Sequence, residues 1–354
     1  MRSVYIHVPF CERICSYCDF TKMICHEEWI GKYLSSLKSE IKTLYNGDTV
    51  KSIYIGGGTP TVLSEKHLTN LLKLVKIFNI AKDTEITIEC NVNDLNITKV
   101  KAMYKYGINR VSIGVQTLDQ SLLKVLNREH SYENLQNQVE LLRKNYIENI
   151  NFDLMYAIPG QTIEVLKSDL DLLMRLKPSH ISAYSLTLEP HTKLYIDQIE
   201  PVSDELDRAM YDFLRIYLKG RGLIQYEVSN YAKPGFESVH NLTYWNNDEY
   251  YGFGLGASSY IDRKRVTNTS NLHKYLNGIF IKNVKDLSIT EQMSYEMILN
   301  LRKRAGINRH LFYEKYGKDL EKVFDLSKLQ RVGDNYIIKE QDIYCSNHIM
   351  EDFI

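Results

Sequence analysis

The sequence predicts an α/β fold whose central strands run parallel. Two observations predict it. Short β-rich runs alternate with amphipathic helical stretches six times in the first 190 residues, and a connection between parallel strands needs a crossover of a dozen or more residues. The strand segments also read as mostly continuous apolar runs, the pattern of strands covered on both faces. Pattern alone leaves two layouts, an open doubly wound sheet or a curved barrel or partial barrel.

Each element has its own signal. SVYIHV (3–8) is the first strand. A helix over 27–45 puts Ile30, Tyr33, Leu34, Leu37, Ile41 and Leu44 on one face. The second strand, 52–56, runs into Gly-Gly-Gly-Thr-Pro, and the helix over 64–78 carries the stripe Leu68, Leu71, Leu72, Val75. Strands follow at 85–90, 110–116, 150–156 and 180–189. Helices are expected at 96–106, 119–126, 132–145, 162–176 and 203–219. In either layout functional groups collect at the C-terminal strand ends. There lie Gly56 to Pro60, Glu89 to Asn93, Gln116 and Asp153. From about 288 the pattern changes to two helices around Gly306 and a hairpin in RVGDNYIIK. Three units are expected: 1–200, 201–279, and a small, mainly helical unit at 280–354.

Composition narrows the partners. The chain has 44 basic and 44 acidic residues, so no charge footprint points to nucleic acid. No apolar run approaches the roughly 20 residues of a membrane helix. The opening MRSVYIHVPFC is too polar for a signal peptide, so a cytoplasmic protein is expected. Of six cysteines, Cys11, Cys15 and Cys18 fall within eight residues. In a reducing compartment they read as metal ligands. Cys25, Cys90 and Cys345 are expected to be buried small hydrophobes.

The Cys-x3-Cys-x2-Cys loop after the first strand is the strongest signal. Zinc sites usually pair Cys-x2-Cys with a second pair, and four-cysteine clusters add a fourth thiolate. Three thiolates can hold three irons of a cubane and leave the fourth open to a chelating ligand. A structural zinc with a distant fourth ligand such as His7 is the alternative. GGGTPT (56–61) lets backbone approach a ligand closely, and it is no phosphate loop, because no Gly-Lys-Ser/Thr follows.

With these motifs the chain resembles the radical S-adenosylmethionine (SAM) family. The resemblance implies a partial (β/α)6 barrel with an extension at 201–279 and a small helical C-terminal domain. It implies a [4Fe–4S] cluster on Cys11, Cys15 and Cys18. The amino and carboxylate groups of SAM chelate the unique iron, and one electron cleaves SAM to methionine and a 5′-deoxyadenosyl radical. It also implies a SAM site formed by Tyr5, Gly57, Gly58, Thr59, Glu89, Gln116, Arg128 and Asp153, with Glu89 on the ribose and Arg128 on the carboxylate.

VYIHVPFC, GGGTPT, RVSIGVQ, NREH and DLMYAIPGQT are similar to the subgroup that holds oxygen-independent coproporphyrinogen III oxidase and a heme chaperone. The oxidase has a cysteine where this chain has Phe20, and an extension ahead of its first strand where this chain has ten residues before Cys11. HNLTYW (240–245) matches the chaperone branch. Imidazole is a common axial ligand of heme iron, so His240, with Tyr244 and Trp245 flanking a porphyrin, is the candidate heme site. GFGLGASSY (252–260) is expected to turn tightly beside it. The resemblance implies a protein that binds heme and hands it to a respiratory recipient, touching a membrane only through that recipient. Porphyrinogen decarboxylation is not expected, although the radical machinery is present.

Overall fold

The computed structural model of the chain describes residues 1–354. Six strands stand side by side in sequence order: β1 (Arg2–Val8), β2 (Thr49–Gly57), β3 (Asn79–Asn91), β4 (Arg110–Gln116), β5 (Asn149–Tyr156) and β6 (His180–Ser185). Every neighbouring pair is parallel. Helices make the crossovers: α1 (Glu27–Leu44), α2 (Glu65–Lys73), α3 (Ile97–Lys105), α4 (Gln120–Val125), α5 (Tyr132–Lys144) and α6 (Ile163–Arg175). After β6, α7 (Asp204–Lys219) leads to β7 (Ile224–Glu227) and β8 (Asn230–Ala232), which continue the sheet antiparallel. A short helix, α8 (Val239–Trp245), precedes β9 (Tyr250–Phe253), which joins the other side of β1 in parallel. β10 (Ser258–Ile261), β11 (Lys264–Asn268) and β12 (Ile281–Asp286) follow antiparallel. The twelve-stranded sheet keeps two free edges and does not close.

The two faces of the parallel strands differ, which corrects the expectation of strands apolar on both sides. One face carries Val4, Ile6, Ile53, Ile55, Ile86, Ile88, Val111, Ile113, Phe152, Leu154 and Ile181. These pack with Leu34, Leu37, Leu72, Val100, Leu135 and Leu170 of the helices in one buried cluster. The other face alternates with it and is polar: Ser3 and Tyr5 on β1, Ser52 and Tyr54 on β2, Glu85 and Glu89 on β3, Ser112 on β4, Asn151 and Asp153 on β5, His180 and Ser182 on β6. Alternation of period two marks a sheet with one core face. A doubly wound sheet, clothed by helices on both sides, has no use for it.

Helix α8 lies on that polar face. Ser3 Oγ meets Thr243 Oγ1 at 2.7 Å, and Ser52 Oγ meets His240 Nδ1 at 3.0 Å. Glu85 accepts the backbone N–H groups of Val239 and His240 at 3.2 and 3.1 Å, and the Ser238 hydroxyl at 3.4 Å. A carboxylate at a helix N-terminus satisfies donors that lack an intrahelical partner.

The C-terminal residues form a second apolar cluster around Met293, Met297, Leu301, Phe312, Leu320 and Phe353. They comprise α9 (Ile289–Leu301), α10 (Arg309–Tyr316) and a three-stranded sheet that includes the expected hairpin, Gln330–Val332 against Asn335–Ile337. β12 still belongs to the large sheet, although a boundary was expected at 280. This unit backs α8: the Arg302 guanidinium lies 4.5 Å from the Trp245 ring centroid, and Asn247 Nδ2 donates to Glu296 at 2.9 Å. Of the scattered cysteines only Cys90 is fully buried; Cys25 is half-buried and Cys345 exposed.

The glycine-rich stretch does turn, with Ala257 N–H bonding Gly254 O at 3.2 Å. Its anchor is Glu40 of α1. That buried carboxylate accepts Gly254 N–H at 2.9 Å, together with Asn268 Nδ2 and the Tyr275 hydroxyl. Glu40→Ala removes the acceptor of three buried hydrogen bonds, leaving the Gly254 N–H and the Tyr275 hydroxyl without it while Asn268 Nδ2 keeps only Gly254 O. It should lower unfolding free energy by about 3 kcal/mol, read as a fall in the denaturant midpoint.

Candidate cofactor site

The cysteine loop leaves the C-terminal end of β1. Phe10–Cys11 pairs in parallel with Met23–Ile24, closing residues 12–22 into a compact loop. The loop is pinned from several sides. Ser16 N–H donates to Leu126 O at 3.1 Å, Leu194 N–H to Ser16 O at 3.0 Å, and Asn127 Nδ2 to Ile14 O at 2.8 Å. Two distant segments, the 126–127 turn and Leu194, therefore hold the residues on either side of Cys15 in place. All three thiols are free and line one cavity of about 600 Å³ at the C-terminal strand ends.

Burial, followed by the neighbouring thiols Cys18 and Cys15, pushes the Cys11 thiol up to about 12. A thiol in such surroundings gives up its proton only when a metal cation replaces it. No group of three or more Cys, His, Asp or Glu converges on a single ion. His7 is already engaged, with Nδ1 at 2.9 Å from the Tyr5 hydroxyl and Nε2 at 2.7 Å from Thr21 O. The donor set therefore suits several irons, each taking one thiolate, better than one zinc ion.

The glycine motif packs against this loop. Gly57 has φ +116°, and a Cβ there would sit 2.5 Å from the His7 ring. At Gly58 a Cβ would lie 2.7 Å from Phe10 O and 2.9 Å from Cys11 Sγ. Gly58 N–H bonds Val8 O, and Thr59 N–H bonds Phe10 O, both at 2.8 Å. Absence of side chains is what lets the second strand end lie along the first.

Two carboxylates occupy the wall. Glu89 accepts the Tyr54 hydroxyl at 2.9 Å and Gly57 N–H at 3.0 Å. Burial, and then the like charge of Asp153, raise it to about 7. Asp153 accepts Asn151 Nδ2 at 2.8 Å and the Ser112 hydroxyl at 3.1 Å, and burial raises it too. Beside the thiols Arg128 donates to Asn91 Oδ1 at 2.9 Å and Gly114 O at 2.6 Å, with Nη1 at 3.3 Å from Cys15 Sγ. Its Nε is buried and has no partner. An unpaired buried guanidinium N–H next to the thiols fits an anionic ligand group. Gln116 ends β4 with φ +67°, a conformation that costs energy for a residue with a Cβ, and its Oε1 accepts the Tyr184 hydroxyl at 2.9 Å.

The structure thus brings Gly57, Gly58, Thr59, Glu89, Gln116, Arg128 and Asp153 onto one wall with the three cysteines. Tyr5 is not on that wall. It lies a layer below, its ring 6.2 Å from Tyr54 and 6.4 Å from His240. Nor do His240, Tyr244 and Trp245 reach the cavity. His240 is 1% exposed, with Nε2 2.8 Å from the Tyr244 hydroxyl, and burial lowers it to about 3. Trp245 Nε1 is buried without a partner. Phe20 is 70% exposed at the cavity rim, so it is no core residue. Sequence reasoning missed Tyr17, Tyr54 and Tyr184, which line the cavity together with Asn91 of the 89–93 strand end. For Tyr54 and Tyr184 the signal was available, since they continue the polar alternation of β2 and β6.

A parallel half-barrel with three free thiols at its C-terminal mouth defines a radical SAM protein. The family model described as the radical SAM superfamily matches residues 5–173. Over 338 residues the chain is 38% identical to the heme chaperone HemW of Bacillus subtilis (strain 168), covering 92% of this chain and 89% of that one. With the heme chaperone HemW of Lactococcus lactis subsp. lactis (strain IL1403) it shares 40% over 330 residues, 91% of this chain and 87% of that protein. Among solved structures, coproporphyrinogen III oxidase (HemN) from Escherichia coli superposes with a TM-score of 0.87 at 20% identity, covering 99% of this chain and 89% of that one. At that identity the likeness concerns the fold. The chain belongs to the HemW family within the radical SAM superfamily, whose cofactors are a [4Fe–4S] cluster and SAM.

Gly58→Ala should displace the Cys11 segment while leaving the sheet intact. Iron and sulfide analysis after anaerobic reconstitution should find little cluster retained, with the wild-type circular dichroism spectrum unchanged. Full iron content in that variant would contradict the packing described here.

Proposed function

We propose that the chain is a heme chaperone that binds a [4Fe–4S] cluster, SAM and heme and passes heme to a recipient such as a respiratory protein. It would work in the cytoplasm and meet a membrane only through that recipient. The observation that carries this is similarity along nearly the full length of both chains to proteins named heme chaperone HemW. Cys11, Cys15 and Cys18 would hold the cluster. Gly57, Gly58 and Thr59 would offer backbone groups to the SAM amine, Glu89 would take the ribose hydroxyls, and Gln116 and Asp153 would complete the wall. Arg128 would meet the SAM carboxylate, a role its unpaired Nε supports. Tyr5 would close the cavity from beneath. When bound, the cluster supplies one electron to SAM.

His240, Tyr244 and Trp245 are the candidates for heme. In the arrangement described, ligation by His240 Nε2 requires the Tyr244 hydroxyl, 2.8 Å away, to turn aside. The runner-up reading, oxidative decarboxylation of coproporphyrinogen III, has likeness of fold in its favour.

One experiment tests the proposal: anaerobic reconstitution with iron, sulfide and SAM, then addition of heme or of coproporphyrinogen III. Heme should bind with a shifted Soret band and move to an apo-recipient, and protoporphyrinogen should not form. Rapid protoporphyrinogen formation would make the chain an oxidase. His240→Ala should weaken or alter the Soret band; an unchanged spectrum removes His240 as ligand.

Glu89 supplies a pH dependence. Its folded-state value of about 7 lies above the ordinary carboxyl range, so ionising it costs stability as pH rises through that value. A cationic sulfonium nearby favours the ionised form. SAM affinity should therefore be about tenfold weaker near pH 6 than near pH 8. Calorimetric titration of Glu89→Gln should lose that dependence.

A further inference from the structure

Beneath the cavity wall runs a chain of buried polar groups whose donor and acceptor roles can be assigned one by one. It starts at Asp153, whose carboxylate accepts Asn151 Nδ2 at 2.8 Å. The same Nδ2 donates to Ser112 Oγ at 2.7 Å, and Ser112 Oγ donates to Asp153 Oδ2 at 3.1 Å. With its amide nitrogen committed, Asn151 presents Oδ1 to His180 Nδ1 at 2.6 Å. Reversing that amide would set oxygen against the Asp153 carboxylate. His180 must therefore carry its proton on Nδ1.

The rest follows from burial. His180 is 0% exposed, and burial together with the Arg110 guanidinium holds it well below the ordinary histidine value, so it is neutral. Its Nε2 is then an acceptor, and the group 2.9 Å away is the Tyr226 hydroxyl, which donates. Tyr226 in turn accepts Ser238 N–H at 3.3 Å, and Ser238 is the N-cap of α8. From the start of α8 each donor points toward Asp153.

We propose that His180 is a positioning residue for the SAM site: through Nδ1–H it orients the Asn151 amide, which aims Asp153 into the cavity, and through Nε2 and Tyr226 it ties that carboxylate to the start of the HNLTYW helix. This rests on the reading that Asp153 contacts SAM. His180 itself touches neither the cavity nor any ligand. Its effect passes through Asn151, as hydrogen-bonded partners behind a binding group commonly act.

Substitution separates the two halves of the ring. Asparagine places an amide N–H near Nδ1, and glutamine places one near Nε2. The test is SAM titration by calorimetry on the reconstituted full chain, with iron content and circular dichroism as controls. His180→Gln should raise the SAM Kd about tenfold, whereas His180→Asn should stay within about twofold of wild type. In an Asp153→Asn background His180→Gln should add nothing further. Equal losses in both His180 variants, or an additive loss in the double variant, would reduce His180 to a core residue and overturn the proposal. If Asp153→Asn leaves SAM binding unchanged, the contact with SAM is wrong and the proposal goes with it. If Asp153→Asn weakens binding and His180→Gln does not, the proposal alone fails. A measurement without substitution covers the case of poorly folded variants. Long-range proton–nitrogen correlation of histidine-labelled protein should find His180 protonated on Nδ1 and bare on Nε2, and the opposite tautomer would overturn the assignment.

Discussion

The contact between Glu85 and the first N–H groups of the Val239–Trp245 helix is the one on which the cavity above it depends. A half-barrel with a polar inner face has a problem that a filled barrel lacks. Its buried hydroxyls, amides and carboxylates need partners, because an unpaired buried polar group costs about as much as several good contacts supply. Helix α8 answers that need. Glu85 takes its N-terminus, Ser52 takes His240 and Ser3 takes Thr243. The helix becomes a floor, and everything above it, from Tyr54 to the cysteine loop, is open to a ligand. The same docking explains why His240, Tyr244 and Trp245 lie under the cavity, where only Asn241 of the HNLTYW motif reaches its lining.

Charge decides what the cavity suits. Glu89 and Asp153 share the wall, the charge of Asp153 adding to burial in raising Glu89; Arg128 brings an unsatisfied N–H, and three thiols line the mouth. A ligand with a cationic centre, hydroxyls and a carboxylate complements all of these at once, whereas a simple dianion would meet two like charges. The loop that carries the thiols is held by hydrogen bonds from the 126–127 turn and from Leu194, so its geometry is a property of the fold rather than of a flexible loop.

The C-terminal unit acquires a role that its sequence does not announce. Arg302 covers the face of Trp245, Glu296 accepts from Asn247, and Lys303, whose ammonium burial lowers to about 8, reaches Asn246. These contacts grip the C-terminal end of α8 as Glu85 grips its start. A helix of seven residues has little stability of its own, and this one is kept by what surrounds it.

Local chemistry was legible in the sequence. Spacing placed Cys11, Cys15 and Cys18 in one loop, and strand ends placed Glu89, Gln116 and Asp153 on one wall, because both follow from short-range geometry and from parallel register. The alternation of Ser52, Tyr54 and Gly56 against Ile53 and Ile55 was also there to be read, and it distinguishes a half-barrel from a doubly wound sheet. Other facts needed the tertiary structure. That His240 is sealed between Ser52 and Tyr244, that Tyr5 sits below the wall, and that His180 stands behind Asp153 through Asn151 depend on pairings across many residues, 155 between Glu85 and His240 alone. No local pattern encodes such a pairing. It is chosen when the sheet curves and its buried polar groups find partners.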